Sequence, residues 1–270
     1  MRAIYVLPLG YFLATRVPGT IASISWAAIY IVPLLLIGTL AQLPLIDAIA
    51  IQLLAMVIIY TIYELGYLQN DALTTRTETS PTLRLTPDEM LMVGRWFPGI
   101  ILARVIIAAL LLALLETLNP PGLDALMFCI VILIPTFLTY NLTRGAINVP
   151  LHFILVSVRF SAPVLVLIPE TDVMLVLYLI LMFPLINTME RAAEPRYELA
   201  WLQRNPLANQ TSGRWIYYLG FSIVWTVICI TLDLNVLTLI PIVYLFAYRL
   251  LSPVLLSKLA LSRTGPGTGQ

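Results

Sequence analysis

The sequence predicts an all-α integral membrane protein, a bundle of about eight transmembrane helices. Three observations predict it: the apolar composition, the number of long apolar segments, and the sorting of charge between the connections. Hydrophobic residues make up 60% of the chain and charged residues 11%, with a mean hydropathy of +0.94. A soluble domain is about a quarter charged, because its surface must face water. Lipid is therefore the expected solvent for most of this surface.

A helix needs about 20 apolar residues to cross a bilayer, and eight segments meet this requirement. In chain order they are 20–41, 46–68, 97–115, 123–141, 148–168, 172–188, 215–233 and 235–251. Turn-forming residues such as Pro44, Pro120 and Pro169 separate them. We expect a single transmembrane domain over residues 1–262, followed by a Gly- and Pro-rich tail, 263–270, whose composition predicts disorder.

The connections between the segments differ in length and charge on the two sides of the bundle. The long polar connections, 69–96 and 189–214, fall on one side, together with every Lys and Arg outside the segments. The other side carries only acids: Asp47, Glu116, Asp124, Glu170, Asp172 and Asp233. By the positive-inside rule, the long connections and both termini are cytoplasmic. The expected location is the plasma membrane of a bacterium.

Several other functions find no support in the sequence. No basic tail or block of Lys and Arg indicates a nucleic-acid partner. Cys129 and Cys229 lie in apolar runs without a second ligand at metal-binding spacing, which predicts two buried apolar side chains. His152, the one histidine, is interpreted as a hydrogen-bonded interfacial residue. A transporter or scaffold is the alternative to an enzyme, but polar residues gather at one face and not at the midplane.

The first informative group of polar residues follows the second segment. If that helix continues for two turns, Glu64, Asp71 and Glu78 share one face, because they are seven residues apart. Asn70 and Thr74 lie beside them. Mg²⁺ prefers one or two carboxylates together with substrate phosphate oxygens, so this group could bind it. Ordinary charges at a solvated helix end explain the stretch equally well when it is considered alone.

The second group follows the sixth segment on the same predicted face. Asn187, Glu190 and Glu194 are spaced to share one helical face, and Arg191 and Arg196 are interleaved with them. Two acid groups at the ends of two helices would bracket a metal-bound diphosphate. Arginines beside them would bind its oxygens through paired donors. The second group therefore favours a functional site over a solvated helix end.

Together the two groups resemble the motifs of the UbiA superfamily of intramembrane prenyltransferases. That family carries an NDxxDxxxD-type motif after helix two and a DxxxD-type motif after helix six. The matching positions are Asn70, Asp71, Glu78, Glu190 and Glu194. The segments TRVP (15–18), PTLRL (81–85) and YNLTR (140–144) are also similar, in order and over most of the chain. Thr74 stands where the family has an acid, Glu replaces Asp at three positions, and the family usually has nine helices.

The resemblance implies a helical bundle around a cavity for a polyisoprenyl lipid substrate. The headgroup of a diphosphate-bearing donor would lie under the cytoplasmic loops, with Mg²⁺ as cofactor. The implied catalytic and metal-binding residues are Asp71, Glu78, Glu190 and Glu194. The implied substrate-binding residues are Asn70, Thr74, Arg84, Arg144, Arg159, Asn187 and Arg196. We further expect the Asp71 and Glu190 carboxylates to lie within roughly 12 Å of each other, the span of a metal-bridged diphosphate.

The resemblance leaves the reaction open. A prenyl diphosphate could prenylate an acceptor, which is the commoner activity of the fold. Alternatively, a sugar diphosphate could transfer a pentosyl phosphate to a polyprenyl phosphate in the synthesis of cell-envelope glycans, and Pro81-Thr82-x-Arg84 is slightly more similar to that group. A terpene cyclase or a non-catalytic relative is a third possibility.

Two arginines lie well inside predicted segments, away from the segment ends. Arg159 is roughly 15 Å into the fifth segment, too deep to reach the interface easily. We expect it to point into the bundle, towards the lipid phosphate or towards Glu64. Arg104 is shallower and could extend to the interface, so no role is assigned to it.

Overall fold

The computed structural model describes residues 2–75, 82–143, 145–170, 172–209 and 212–258, with side chains described as far as residue 252. All regular elements in these ranges are helical. The α-helices are α1 (Gly10–Thr15), α2 (Thr20–Trp26), α3 (Val32–Gly38), α4 (Leu45–Gln69), α5 (Pro87–Glu116), α6 (Leu123–Leu142), α7 (Asn148–Leu165), α8 (Val173–Met182), α9 (Pro184–Ala192), α10 (Ala200–Gln203), α11 (Ser212–Leu232) and α12 (Leu239–Lys258). Wide π-helical turns join α2 to α3 at Ala27–Ile31 and extend α4 at Asn70–Thr74.

Six helices are long and apolar enough to cross a membrane, and the bent pair α8–α9 makes a seventh if it counts as one span. All eight predicted segments are helical. However, the last apolar helix, Val236–Ser252, which consists of a 3-10 turn and most of α12, is shorter than the others. The structure therefore supports six or seven spans and does not confirm eight or nine.

The outer faces of the helices are apolar. On α5, Leu102, Val105, Ile106 and Leu110 are all more than half exposed and follow helical spacing. The central helix α4 is largely buried, and its Gly66 allows close packing, because a Cβ atom there would lie 2.2 Å from the Phe137 ring on α6. Long helices that expose apolar stripes around a buried centre indicate an integral membrane protein.

Two local signals set helix ends that differ from the predicted ones. α5 begins at Pro87, ten residues before the predicted segment, because Thr86 and Glu89 form a reciprocal capping box. The sixth predicted segment is broken at Phe183, because Pro184 cannot donate a backbone hydrogen bond and restricts the residue before it. The two halves of that segment meet at 46°.

The N-terminal segment folds back onto the bundle through a buried ion pair. Arg104 on α5 binds Glu64 on α4 at 2.7 Å, and neither side chain is exposed. Glu64 also accepts the Phe12 backbone N–H of α1, and Arg104 donates to the Tyr5 and Leu7 carbonyls. Arg104 therefore does not extend to the interface. Glu64 is paired with Arg104, not with Arg159.

The topology stays a prediction that labelling can test. In a background without Cys129 and Cys229, whose thiols are buried and free, we expect Asn209→Cys to react with an impermeant maleimide only from the cytoplasmic side. Asp124→Cys, on the acidic side, is the matched control and should react only from the opposite side. Both positions are exposed. Labelling of both from the same side would contradict the predicted topology.

Candidate functional site

The first predicted motif lies on the π-helical turn at the end of α4. Both Asp71 carboxylate oxygens are occupied: Oδ2 accepts from the Tyr11 hydroxyl at 2.7 Å and from Arg16 at 2.8 Å. Oδ1 accepts from the Asn70 amide at 3.1 Å and from Arg84 at 3.4 Å. A π-helical turn widens the helix, and such turns often occur at functional sites.

The Asp71 side chain is fully buried, whereas Arg16 and Arg84 remain partly exposed. Burial, and then the Asp71 charge, raise the pKa of the Tyr11 phenol, so its hydroxyl stays protonated and donates. Burial, and then the positive charge of Arg16, lower the pKa of Arg84. Two cations therefore share one carboxylate, which leaves an excess of positive charge.

The second predicted motif is divided. Glu194 lies beyond Ala192, the last residue of α9, so the predicted single helical face of Asn187, Glu190 and Glu194 does not form. Arg191 and Arg196 each bind a different oxygen of Glu194 at 2.8 Å. As at Asp71, two arginines hold one carboxylate.

Glu190 points away from this pair, towards α11. Both of its oxygens accept from the guanidinium of Arg214, in a buried bidentate pair. Arg249 of α12 lies beside Arg214 and Glu190. Its guanidinium is buried and makes no hydrogen bond to the described part of the chain.

An aromatic path connects the Asp71 and Glu194 groups. The Arg16 guanidinium lies 4.2 Å above the Tyr67 ring. The Phe137 ring lies between those of Tyr67 and Tyr140, 5.9 and 6.2 Å away, and the Tyr140 hydroxyl accepts from Arg191 at 3.2 Å. Within the described ranges no hydrogen bond or ion pair joins Asp71 to Glu190. The helices that carry them, α4 and α9, both pack against α7.

Arg159 occupies a tyrosine-lined position on the membrane side of this path. Its guanidinium lies 4.8 Å from the ring centre of Tyr63 and within 6 Å of those of Tyr30 and Tyr60. It donates one hydrogen bond, to the Tyr67 hydroxyl at 3.0 Å, and contacts no carboxylate among the described residues. Arg159 therefore points into the bundle, as predicted, but has only one polar partner for five N–H donors.

His152 and Asn187 join α7 to α9 beside the Glu194 group. The His152 Nε2 and Asn187 Oδ1 atoms are 3.1 Å apart, and the His152 and Tyr140 rings are neighbours. Asn148, His152 and Arg159 lie on one face of α7, because they are spaced by four and seven residues. This polar stripe runs into an otherwise apolar helix.

The described carboxylates do not form a ready cation site. Every oxygen of Asp71, Glu190 and Glu194 accepts from an arginine, a tyrosine or an amide, and no three potential metal ligands converge within the described ranges. A metal ion would have to displace an arginine from a carboxylate. The predicted residues Glu78 and Arg144 lie outside the described residues. Thr74 donates to the Asn70 backbone and side-chain oxygens.

Sequence reasoning missed four residues of this site: Tyr11, Arg16, Arg214 and Arg249. Arg16 lies within the TRVP segment, but nothing in that segment indicates its contact with Asp71. Nothing in the spacing of Tyr11 indicates a contact with Asp71, because that contact depends on how the N-terminal segment folds back. Arg214 lies in the first turn of α11. In the sequence it could equally be an ordinary charged residue of the preceding loop.

A polar cavity of about 380 Å³ lies beside the second motif. It is lined by the end of α9 and by the connection that follows, as far as Asn209. Its lining includes two carboxylates, one guanidinium and three amides: Glu190, Glu194, Gln203, Arg204, Asn205 and Asn209. This mixture suits a ligand that both donates and accepts hydrogen bonds, such as a group with several hydroxyls.

Comparisons of the chain with protein-family models, curated proteins and solved structures gave no match. The contacts of the residues are therefore the basis for the functional assignment.

Proposed function

We propose that this protein is an intramembrane transferase of the UbiA-like type, and that it transfers a prenyl group from a prenyl diphosphate to an acceptor. The observation that carries the proposal is the excess of arginine over carboxylate in the described site. Six arginines accompany three carboxylates, and a seventh, Arg159, has no carboxylate. The six are Arg16, Arg84, Arg191, Arg196, Arg214 and Arg249.

Such an excess favours an anionic ligand with several charges. Buried or half-buried cations are costly unless they are paired. A diphosphate supplies both the charge and the oxygens that arginine forks bind in pairs. The same arginines would stabilise the diphosphate as it leaves, since negative charge develops on it in the transition state.

The aromatic residues below the arginines support a carbocationic intermediate. Tyr30, Tyr60 and Tyr63 turn their rings towards the positive charge of Arg159. Aromatic faces stabilise cations through the ring quadrupole. The carbon left behind by a departing diphosphate is such a cation, so this part of the bundle suits the reacting end of a prenyl chain.

We propose Mg²⁺ as the cofactor, carried largely by the diphosphate itself. Mg²⁺ commonly keeps phosphate oxygens and water as most of its ligands. The described carboxylates have no unoccupied oxygen, so their role in the proposal is to hold the arginines in position. Bound Mg²⁺ would add positive charge on the leaving group.

The polar cavity beside Glu190 favours one alternative: transfer of a sugar phosphate from a sugar diphosphate to a polyprenyl phosphate. Its amides and carboxylates suit sugar hydroxyls. Arg204 lines this cavity. Arg204→Gln is therefore expected to lower turnover of a sugar diphosphate and to leave turnover of farnesyl diphosphate unchanged.

The experiment that tests the proposal measures donor binding and turnover in lipid nanodiscs. We expect Arg159→Met to weaken farnesyl diphosphate binding by about tenfold to 100-fold, because hydrogen bonds to charged groups contribute about 1.5–3 kcal/mol. Arg95→Met, at an exposed position on α5, is the matched control. Release of diphosphate from farnesyl diphosphate measures turnover.

The two donor classes give distinct results in that assay. Turnover of farnesyl diphosphate supports the first proposal, and turnover of a sugar diphosphate with polyprenyl phosphate supports the alternative. If Arg159→Met and Arg95→Met bind farnesyl diphosphate equally weakly, or both bind it as the wild type does, Arg159 does not belong to the headgroup site. Mass spectrometry of lipid that co-purifies with the protein gives an independent readout.

A further inference from the structure

Only one of the two ring nitrogens of His152 has a hydrogen-bond partner among the described residues. Its Nε2 atom lies 3.1 Å from Asn187 Oδ1. An amide oxygen only accepts hydrogen bonds, so Nε2 carries the proton and Nδ1 keeps its lone pair. Nδ1 has no hydrogen-bond partner in the described part of the chain. The interpretation of His152 as a fully hydrogen-bonded interfacial residue therefore covers only one of its two nitrogens.

The surroundings of His152 place its ring within the candidate site. The charged groups that face the ring are Arg191 of α9, Arg196 of the following loop, and Arg159 of its own helix. From α6, the Tyr140 ring lies 6.3 Å away, centre to centre. No carboxylate contacts His152 among the described residues. The ring thus lies among the cations that would hold a diphosphate.

The carboxylates nearby are already occupied by hydrogen-bond donors. Asp71, Glu190 and Glu194 are each bound by at least one arginine, so their oxygens already face cations. In the described site, His152 Nδ1 is a basic nitrogen that can accept a proton and that no arginine contacts.

We propose that His152 is the general base of the transfer reaction, taking through Nδ1 the proton that the acceptor substrate loses. The inference rests on the proposed function and adds to it the chemical class of the acceptor: a molecule that attacks through a hydroxyl oxygen or an aromatic carbon bearing hydrogen. Asn187 acts as a positioning residue, because it fixes the tautomer and the ring orientation.

The bond between the donor carbon and the diphosphate oxygen breaks, and its electron pair leaves with the diphosphate. A bond forms between that carbon and the acceptor's oxygen or ring carbon. The acceptor's surplus proton passes to Nδ1, which gives an imidazolium, and then to water at the cytoplasmic side. A phosphate acceptor carries no such proton and would not need the base.

The tautomer can be tested directly, since His152 is the only histidine in the chain. Labelling the tag-free protein with ¹⁵N-histidine gives ring signals from this residue alone. At pH 7.5 we expect a protonated Nε2 and an unprotonated Nδ1. Asn187→Leu should make the two tautomers interchange. A proton on Nδ1 in the wild-type protein would overturn the proposal.

The catalytic role is tested with His152→Gln, because the glutamine amide can replace Nε2–H but offers no basic nitrogen. With farnesyl diphosphate and a simple phenol as acceptor, we expect the rate of prenyl-phenol formation to fall about 100-fold. Binding of farnesyl diphosphate should be unchanged. The wild-type rate should fall on acidification, as the imidazole takes up a proton, and this pH dependence should be absent from the variant.

The outcomes separate this proposal from the proposed function. Suppose the wild type turns over farnesyl diphosphate and His152→Gln does so at the same rate and with the same pH profile. That result overturns the role of His152 and leaves the transferase proposal intact. Failure of the wild type to bind or turn over either donor class overturns the proposed function, and with it the base. A selective loss of phenol prenylation, with binding retained, supports both.

Discussion

Replacing Asp71 with asparagine is expected to lower turnover at least about 100-fold while the protein still folds. The amide keeps the size of the side chain and one accepting oxygen but removes the negative charge that Arg16 and Arg84 share. Without that charge the two guanidinium groups repel each other and lose the orientation that a diphosphate requires. Turnover of the donor in nanodiscs measures the effect. Asp88→Asn, an exposed acid at the start of α5, is the matched control.

The kinetic parameter that changes identifies the role of Asp71. If Asp71 positions the arginines, the variant should bind the donor more weakly while the Mg²⁺ concentration for half-maximal rate stays the same. If Asp71 binds the metal ion directly, that Mg²⁺ concentration should rise. Normal turnover in Asp71→Asn would remove the first motif from the mechanism.

The helices were largely predictable because each depends on a local apolar run. The errors came from signals that local hydropathy does not weigh. Thr86 and Glu89 start α5 early because they satisfy its free backbone N–H groups. Pro184 breaks the sixth segment although the residues on both sides are apolar. Both signals stand in the sequence, so capping and proline rules applied to the same segments would have located these ends.

The candidate site was predictable in its composition but not in its pairing. Spacing along the chain indicated Asp71, Glu190 and Glu194, and the structure gives each of them arginine partners. Those partners come from distant parts of the chain: Arg16 is 55 residues from Asp71, and Arg214 is 24 residues from Glu190. Helical periodicity relates residues within about two turns, so it cannot choose among arginines on other helices.

The arginines inside the membrane illustrate the same limit. Depth along the helix indicated that Arg159 points inwards, which is correct, but it could not select the partner of Glu64. Arg104 takes that position because the N-terminal segment supplies the Tyr5 and Leu7 carbonyls that satisfy its remaining donors. Three-dimensional packing of residues 3–15 therefore decides which arginine is structural and which is available to a ligand.

The Glu64–Arg104 pair should have the largest effect on stability. Both side chains are fully buried, so removing one partner leaves an uncompensated charge. Breaking a buried ion pair typically costs about 3–5 kcal/mol. We expect this loss of unfolding free energy in both Glu64→Gln and Arg104→Met, and the Arg104 variant should lose more, since it also frees carbonyls of Tyr5, Leu7 and Thr61.

The double variant Glu64→Gln/Arg104→Met provides the control, because it removes both charges together. Its destabilisation should be clearly smaller than the sum of the single effects, with a coupling of about 1–3 kcal/mol. Unfolding in detergent, followed by circular dichroism, measures the four proteins. Additive effects would mean that the two charges do not stabilise each other.

The pair should also control the candidate site, since Glu64 holds the Phe12 N–H and the adjacent Tyr11 holds Asp71. If the N-terminal segment detaches, Tyr11 and Arg16 leave the Asp71 carboxylate together. Glu64→Gln should therefore increase proteolysis within residues 3–15 and weaken donor binding, although in the described residues Glu64 contacts none of the six arginines of the candidate site. Arg2→Gln, which removes only the exposed ion pair with Glu89, should change neither. Loss of stability without any change in donor binding would separate the N-terminal segment from the site and limit the pair to a structural role.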